Sequence, residues 1–184
     1  MGFITVFLRF LAAPFRALAR LFRGPSLQTV EKSGAGRITR FDPAAYSCQI
    51  AAEITDFEPE KFMDRKEALK LVRFIQLAVA AAKLAVGDAG LKIEESNAER
   101  IGVLIGSGIG GIDFLEQQAY ILKEKGPSRL SPFTVPYDIT NMAAGIVSIH
   151  LGAKGPNSCV STACATGTHS IGDAFKILQR GDAE

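Results

Sequence analysis

Apolar residues recur at helical spacing through the middle of the chain. Asp64 precedes this periodic segment and Glu67 follows three residues later, the arrangement of a capping box at a helix N-terminus. The pattern predicts one helix from Asp64 to about Val86, ended by the glycines that follow. Its second half, FIQLAVAAAKLAV (74–86), is apolar on nearly all sides, so we expect it to be buried.

Shorter apolar runs alternate with helical patterns along the rest of the chain. Turn residues and changes of period separate them, which allows each segment to be assigned. In order, the predicted elements are a turn at 41–46, a short strand at 48–54, a strand at 100–106, a glycine-rich turn at 107–111, a helix at about 112–125, a proline-bounded loop at 131–139, a helix of small residues at 140–152, a strand at 157–163 and a helix at 165–181. Strands that alternate with helices predict an α/β architecture.

The first 24 residues carry a different pattern. They predict an amphipathic helix, interrupted at Pro14, with four arginines in a stripe roughly 60° wide and apolar side chains opposite. No apolar run there approaches the ~20 residues that span a bilayer. Three explanations stay open: a helix on an anionic membrane surface, an organelle transit peptide, or a segment created by a misplaced start or a gene rearrangement.

The positive charge of the chain is concentrated in this N-terminal segment. Residues 1–30 hold four arginines and no acidic residue, whereas the whole chain has a net charge of only +2. Without that segment, 17 basic residues face 19 acidic ones, a net charge of −2. A mildly acidic body without a basic run gives no indication of nucleic-acid binding. A length of 184 residues, with 47% hydrophobic and 22% charged residues, is typical of one soluble globular domain.

The cysteines are sparse. Cys48, Cys159 and Cys164 form no CxxC pair, which argues against a disulfide framework and against a zinc site. Sparse unpaired cysteines are typical of a reducing compartment. We therefore expect a cytoplasmic protein without a metal; an organelle is the alternative if the N-terminal segment is a transit peptide.

Cys164 lies where a predicted buried strand turns into a helix. The helix N-terminus presents unpaired N–H groups and a partial positive charge, which favour a thiolate over a thiol. The small neighbours Ala163, Ala165 and Gly167 leave room for a carbonyl group, and the same N–H groups are suited to hold an oxyanion. From the residues alone, two interpretations stay open. Cys164 is either a nucleophile or a small hydrophobic residue of the core, and core packing is the better interpretation of Cys159.

The two histidines give little support for a general base. His150 ends the helix of small residues, and His169 lies about 140° around the last helix from Cys164. Neither position is convincing for a base that serves the thiol, so both histidines are interpreted as structural.

The string VSTACATGTHSIGDAF (160–175) resembles the active-site segment of the β-ketoacyl-acyl-carrier-protein synthases, specifically the elongating type II enzymes. Further family segments occur in family order, and the similarity covers residues 33–184. They are SGAGRITRFDPAAYSCQIAAEI (33–54), RIGVLIGSGIGG (100–111), SPFTVPYDITNMAAG (131–145) and LGAKGPNSCVSTACATGTH (151–169). The resemblance implies a thiolase-like layered α-β-α-β-α fold, with residues 33–184 as a partial N-terminal domain and residues 1–32 as an atypical segment and linker.

The glycines of GSGIGG (106–111) also fit the GxGxxG pattern of a dinucleotide site. The family turn explains them better, because no acidic residue stands about 20 residues further on to bind a ribose. No cofactor is therefore expected.

The resemblance implies fatty-acid chain elongation. Cys164 takes the acyl group from an acyl carrier protein as a thioester, and decarboxylation of malonyl-ACP gives the carbanion that extends it by two carbons. The Cys164 N–H matches one oxyanion donor of the family, and Ile109 and Phe133 match positions that line or gate the acyl pocket. For Phe133 two alternatives stay open, the pocket of its own chain and that of the partner subunit. The stretch from Asn141 to Gly145 matches a region near the dimer interface. The implied partners are acyl- and malonyl-loaded carrier protein and a second copy of the chain.

The chain departs from the family pattern at both ends. The Arg-rich segment stands in place of the family's opening strand, and the C-terminal half is missing, with the two histidines and the lysine that support decarboxylation. We therefore expect activity of the complete protein. The alternative is a non-catalytic truncated fragment, associated with membranes through residues 1–24.

Overall fold

The computed structural model describes residues 33–184. The amphipathic helix predicted at 1–24 lies outside the described residues. Within the described part, residues 33–58 and residues 59–184 belong to two different compact units. No helix between residues 33 and 184 is long and apolar enough to cross a membrane.

Residues 33–58 contain an antiparallel hairpin. Strand β1 (Ala35–Arg37) pairs with strand β2 (Ile50–Ala52). The N–H of Tyr46 donates to the carbonyl of Pro43 at 2.9 Å, which closes the predicted turn between the strands. The predicted turn and the predicted short strand are therefore both confirmed.

Residues 59–184 form an α/β unit. Its regular elements are α1 (Arg65–Ala68), α2 (Arg73–Asp88), β3 (Val103–Leu104), α3 (Ile112–Lys125), α4 (Thr134–Asp138), α5 (Met142–Leu151), β4 (Asn157–Ser158) and α6 (Thr166–Gln179). Short 3-10 turns lie at Pro59–Lys61, Ala98–Arg100, Pro127–Arg129 and Ala163–Ala165. The order of strands and helices confirms the predicted α/β architecture.

Strands β3 and β4 run parallel, with Val103 opposite Asn157. Beyond the formal strands, the N–H groups of Ile105 and Ser107 donate to the carbonyls of Ser158 and Val160, each at 3.2 Å. The pairing therefore extends up to the glycine-rich turn. It accounts for most of the two predicted strands.

The sheet is covered on both faces. On one face Ile101, Val103 and Ile105 join a core cluster with residues of α2 and α5. On the other face Leu104 packs with Val160 and with Ala174 of α6. This alternation along β3 follows the period of two residues of a strand, and it produces a helix–sheet–helix arrangement.

The single helix predicted from Asp64 is wrong, because the chain breaks it into α1 and α2. The N-cap is as predicted: Asp64 Oδ1 accepts from the N–H of Glu67 at 3.0 Å. After α1, the side-chain amide of Gln76 donates to the carbonyls of Ala68 at 2.7 Å and Leu71 at 2.8 Å. These bonds satisfy carbonyls at the break, and they leave Leu71 buried in the core.

The loop predicted at 131–139 is also wrong, because it contains the short helix α4. Its Pro136 stands at the third helical position, where a backbone N–H has no partner within the helix. Proline is therefore tolerated there and does not prevent the helix. The predicted helices at about 112–125, 140–152 and 165–181 are confirmed as α3, α5 and α6.

Candidate active site

Cys164 lies in the 3-10 turn that leads from the end of the β4 segment into α6. Its side chain is exposed, so Cys164 is not a small hydrophobic residue of the core. Cys159 is half-buried, with its sulfur 3.6 Å from the carbonyl of Val160. Cys48 is exposed and belongs to the unit that contains the hairpin.

The turn that carries Cys164 has an unusual backbone. Ala163 has φ +47°, the single non-glycine residue with positive φ within residues 33–184. A left-handed conformation costs an L-residue roughly 1–2 kcal/mol, so surrounding contacts must hold it in place. The conformation changes the direction of the chain immediately before Cys164. It is comparable to the strained strand-to-helix elbow that exposes a nucleophile in hydrolases.

Buried hydroxyl groups hold this turn. Thr166 Oγ1 accepts from the N–H of Thr162 at 2.8 Å, and the carbonyl of Thr162 accepts from the N–H of Ala165 at 3.0 Å. One helical turn later, Ser170 Oγ donates to the carbonyl of Thr166 at 2.8 Å. Thr166 and Ser170 are only 2% and 0% exposed. Sequence analysis missed both residues; the signal was a pair of hydroxyl residues four apart on the buried face of the helix.

Gly106 allows the helix to approach the strand closely. A Cβ atom at Gly106 would clash with Thr166 Cγ2 and would lie 2.5 Å from Ser170 Oγ. The first turn of α6 therefore packs directly against the end of β3. This glycine has a packing reason that does not involve a dinucleotide.

The glycine-rich loop lies between the Cys164 turn and α4. Ser161 Oγ donates to the carbonyl of Gly108 at 3.4 Å on one side, and the N–H of Gly111 donates to the carbonyl of Asp138 at 3.0 Å on the other. Side chains at Gly110 or Gly111 would collide with backbone carbonyls of α4. Ile109 lies in this loop and is 60% exposed.

Phe133 stands at the N-cap of α4 and is 50% exposed. Its ring stacks on Tyr137, with ring centroids 5.1 Å apart and an angle of 15° between the planes. Tyr137 also makes an edge-to-face contact with Phe114 at 5.7 Å. Desolvation of the buried ring, followed by the charge of Glu67, raises the pKa of Tyr137. The loop that carries Ile109 therefore contacts α4, which has Phe133 at its N-cap. The same loop contacts the Cys164 turn through Gly108.

The histidines differ in their distance from this turn. His169 Nδ1 lies 3.3 Å from Thr162 Oγ1, and its Nε2 lies 3.4 Å from Asp173 Oδ2. His150 lies on α5, where its buried Nε2 is 2.8 Å from Glu67 Oε1 but not in hydrogen-bonding geometry. Glu67 therefore contacts His150, and no bond between its side chain and the N–H of Asp64 completes the predicted capping box within the described residues. A structural role for both histidines stays a prediction.

Comparisons with known proteins identify the family of this chain. The family model described as the N-terminal domain of β-ketoacyl synthases matches residues 28–184. A 3-oxoacyl-(acyl-carrier-protein) synthase 2 from Synechocystis is 53% identical over 153 residues, which cover 83% of this chain and 37% of the relative. The chain thus spans well under half the length of that relative.

Solved structures show the same fold. The ishigamide ketosynthase/chain length factor has a TM-score of 0.68 and 30% identity, and the match covers 83% of this chain and 38% of that one. A type II polyketide synthase acyl-carrier protein in complex with its ketosynthase bound to the hexaketide has a TM-score of 0.66 and 22% identity, covering 71% of this chain and 38% of that one. The thiolase-like fold implied by the resemblance is confirmed. The chain belongs to the β-ketoacyl synthase family, and its match is to the N-terminal domain of that family.

Proposed function

We propose that Cys164 is the acyl-accepting nucleophile of an elongating β-ketoacyl-ACP synthase. The observation that carries this proposal is an exposed cysteine on a strained turn at the N-terminus of a 14-residue helix. Family membership supports it. Because the chain spans 37% of its relative from Synechocystis, the complete condensation is proposed for the whole protein and the acyl transfer for this chain.

Acyl transfer begins when the Cys164 thiolate attacks the thioester carbonyl of acyl-ACP. The sulfur–carbon bond forms, the oxyanion is held by N–H groups that include that of Cys164, and the carrier thiolate leaves and takes up a proton. Malonyl-ACP then loses CO₂ to give an enolate. The enolate carbon attacks the acyl-Cys164 thioester and expels the cysteine thiolate, which yields β-ketoacyl-ACP.

The strained turn contributes positioning to this reaction. Thr166 and Ser170 fix the backbone on both sides of Cys164, so the thiol and its N–H keep their relative positions without rearrangement. Ile109 and Phe133 supply apolar surface for an acyl chain, since both are large and half or more exposed. These roles for Ile109 and Phe133 are part of the proposal.

The test is an intact-mass measurement after incubation with an acyl-ACP. Wild type gains the mass of one acyl group, mapped to Cys164, and Cys164→Ser gains none. Cys48→Ser is the matched control, because Cys48 is equally a free and exposed cysteine, and it retains labelling. The assignment is contradicted if both cysteine variants are labelled or if both are unlabelled. It is also contradicted if wild type stays unlabelled under conditions that label a complete synthase.

The proposed partners are an acyl carrier protein and a second copy of the chain, in the cytoplasm. The structural neighbour in complex with its carrier protein supports the first. Exposed apolar side chains on α3, on α4 and directly after α4 support the second: Ile112, Leu115, Val135 and Ile139. Sedimentation equilibrium of the complete protein tests the dimer, and Val135→Glu with Ile139→Glu is expected to give monomers.

A membrane-associated role is a second candidate function. Four arginines without an acidic residue in residues 1–30, opposite an apolar stripe, favour binding to anionic lipid. Co-sedimentation with anionic vesicles that disappears on deletion of residues 1–24 would support it. Equal co-sedimentation with neutral vesicles, or none with either kind, would contradict it.

A further inference from the structure

Tyr137 occupies the junction between the two proposed acyl-pocket residues. Its ring is the platform on which Phe133 stacks, and it is 9% exposed where Phe133 is 50% exposed. Its backbone carbonyl faces Gly111 so closely that a Cβ atom there could not be accommodated. One residue of α4 therefore contacts both the Phe133 ring and the loop that carries Ile109.

Several contacts fix Tyr137 itself. Its ring meets Phe114 of α3 edge-to-face, and its N–H donates to the carbonyl of Phe133 at 2.9 Å. The segment before it is held by Gln118, whose buried Oε1 accepts from the N–H of Ser131 at 2.9 Å. Tyr137 is thus buried and held by contacts to several segments, whereas Phe133 is half exposed.

We propose that Tyr137 is a positioning residue that holds Phe133 and the Ile109 loop in place, and thereby limits the length of the acyl chain accepted by Cys164. The inference rests on the proposed function for its acyl substrate. The physical basis of the inference is independent of that substrate, because a half-exposed aromatic ring is held in place by the ring on which it stacks. Without the platform, the Phe133 ring rotates away and longer chains enter more readily.

The stacking is tested by NMR of the protein labelled with ¹³C in its tyrosine rings. The chain contains three tyrosines, which gives three sets of signals to assign with single Tyr→Phe variants. Phe133→Leu is expected to shift the Tyr137 signals more than those of Tyr46 and Tyr120, because a ring current is lost. Leu84→Ala, an exposed change on α2, is the control. Unshifted Tyr137 signals in Phe133→Leu overturn the proposal.

The effect on chain length is tested by the ratio of Cys164 labelling by hexadecanoyl-ACP to that by octanoyl-ACP. Tyr137→Leu is expected to raise this ratio by about threefold or more, the factor that corresponds to the loss of one aromatic pair. Tyr137→Phe keeps the ring and restores the wild-type ratio. Tyr120→Leu, an exposed tyrosine on α3, leaves it unchanged.

The outcomes separate the two proposals. If wild type is labelled and Tyr137→Leu keeps the wild-type ratio, Tyr137 does not limit chain length and only this inference fails. If no acyl-ACP labels the wild type, the proposal of acyl transfer by this chain fails. Dodecanoic acid is then added as the ligand in the NMR experiment. A shift of the Tyr137 signals on its addition, stronger than at Tyr120, then supports the inference, and no shift overturns it.

Discussion

Two interruptions of regular structure in this protein are each held by hydrogen bonds from a side chain to the backbone. The side chain is buried in one and half-buried in the other. At the Cys164 turn, the buried hydroxyl of Thr166 accepts from a backbone N–H. At the break between α1 and α2, the half-buried amide of Gln76 donates to two backbone carbonyls. Both side chains replace hydrogen bonds that regular structure would supply. The first interruption leaves the Cys164 side chain exposed to solvent, whereas at the second the Leu71 side chain is buried in the core.

The difference lies in what each interruption requires. The Cys164 turn combines a positive φ at Ala163 with close packing of α6 on Gly106. The α1–α2 break uses ordinary backbone conformations, and Val72 has φ −73° and ψ 155°. Strain that persists beside an exposed cysteine is characteristic of a functional site.

The largest loss of stability is expected for Gly106→Ala, which disrupts the contact between β3 and α6. The added methyl group collides with Thr166 and Ser170, and overpacking of this kind is expected to destabilise by about 3 kcal/mol or more. Urea denaturation followed by circular dichroism measures the change. Gly172→Ala is the control, since a Cβ atom there has nothing within 4 Å and alanine favours the helix α6. Equal stability of the two variants contradicts the close approach.

Thr166→Val removes the hydroxyl group that holds the Cys164 turn, and it keeps the shape of the side chain. The N–H of Thr162 loses its acceptor in a part-buried hydrogen bond, which is expected to cost about 1–3 kcal/mol. Thr168→Val, on the exposed side of α6, is expected to change stability by less than about 0.5 kcal/mol. If acyl labelling of Cys164 falls in Thr166→Val under conditions where the protein stays folded, the hydroxyl also positions the nucleophile. Matching stabilities for the two threonine variants would contradict a specific role for Thr166.

The sequence predicted the elements that local pattern determines. The helices α3, α5 and α6 have long periodic segments, and the N-cap at Asp64 was predicted from a side chain that acts within its own turn. Cys164 was placed correctly at a strand-to-helix turn because that boundary is visible in the sequence. Its role as nucleophile was one of two interpretations from the residues, which the family resemblance favoured, and it stays a prediction.

The sequence could not predict elements that depend on contacts between segments. Apolar periodicity continues through residues 69–72, and the break there depends on Gln76 reaching back to two carbonyls. The prolines near α4 suggested a loop, although Pro136 occupies a position where it is compatible with a helix. Tyr137 gave no signal in the sequence, because its importance comes from packing against three separate segments.

Gln76→Ala tests the hydrogen bonds made by a half-buried side chain. Two carbonyls at the α1–α2 break lose their donor, which is expected to destabilise by about 1–2 kcal/mol, less than Thr166→Val because water reaches part of the site. Hydrogen exchange is expected to accelerate first at the N-terminus of α2. Gln117→Ala, on the exposed side of α3, is the control. A larger loss of stability than in Thr166→Val would contradict the role assigned to burial.

The smallest effect is expected in the hairpin, where the same kind of bond lies at the protein surface. The carboxylate of Glu53 accepts from the hydroxyl of Thr39 at 2.7 Å and from its N–H at 3.1 Å. The Thr39 hydroxyl is the main cause that lowers the pKa of Glu53 below its ordinary value, and backbone N–H groups of Thr39 and Arg40 add to it.

A lowered pKa in the folded protein fixes the sign of the pH dependence. The bond contributes stability above the unfolded pKa of Glu53, and the contribution is lost as the pH falls through the lower pKa of the folded state. Thr39→Val is expected to bring the pKa of Glu53 back towards the ordinary value, measured by an NMR titration of its carboxyl carbon. Glu58, outside the hairpin, serves as the internal control within the same titration. An unchanged Glu53 titration in Thr39→Val would show that the backbone N–H groups alone hold the carboxylate, and that the hydroxyl contributes nothing at this degree of exposure.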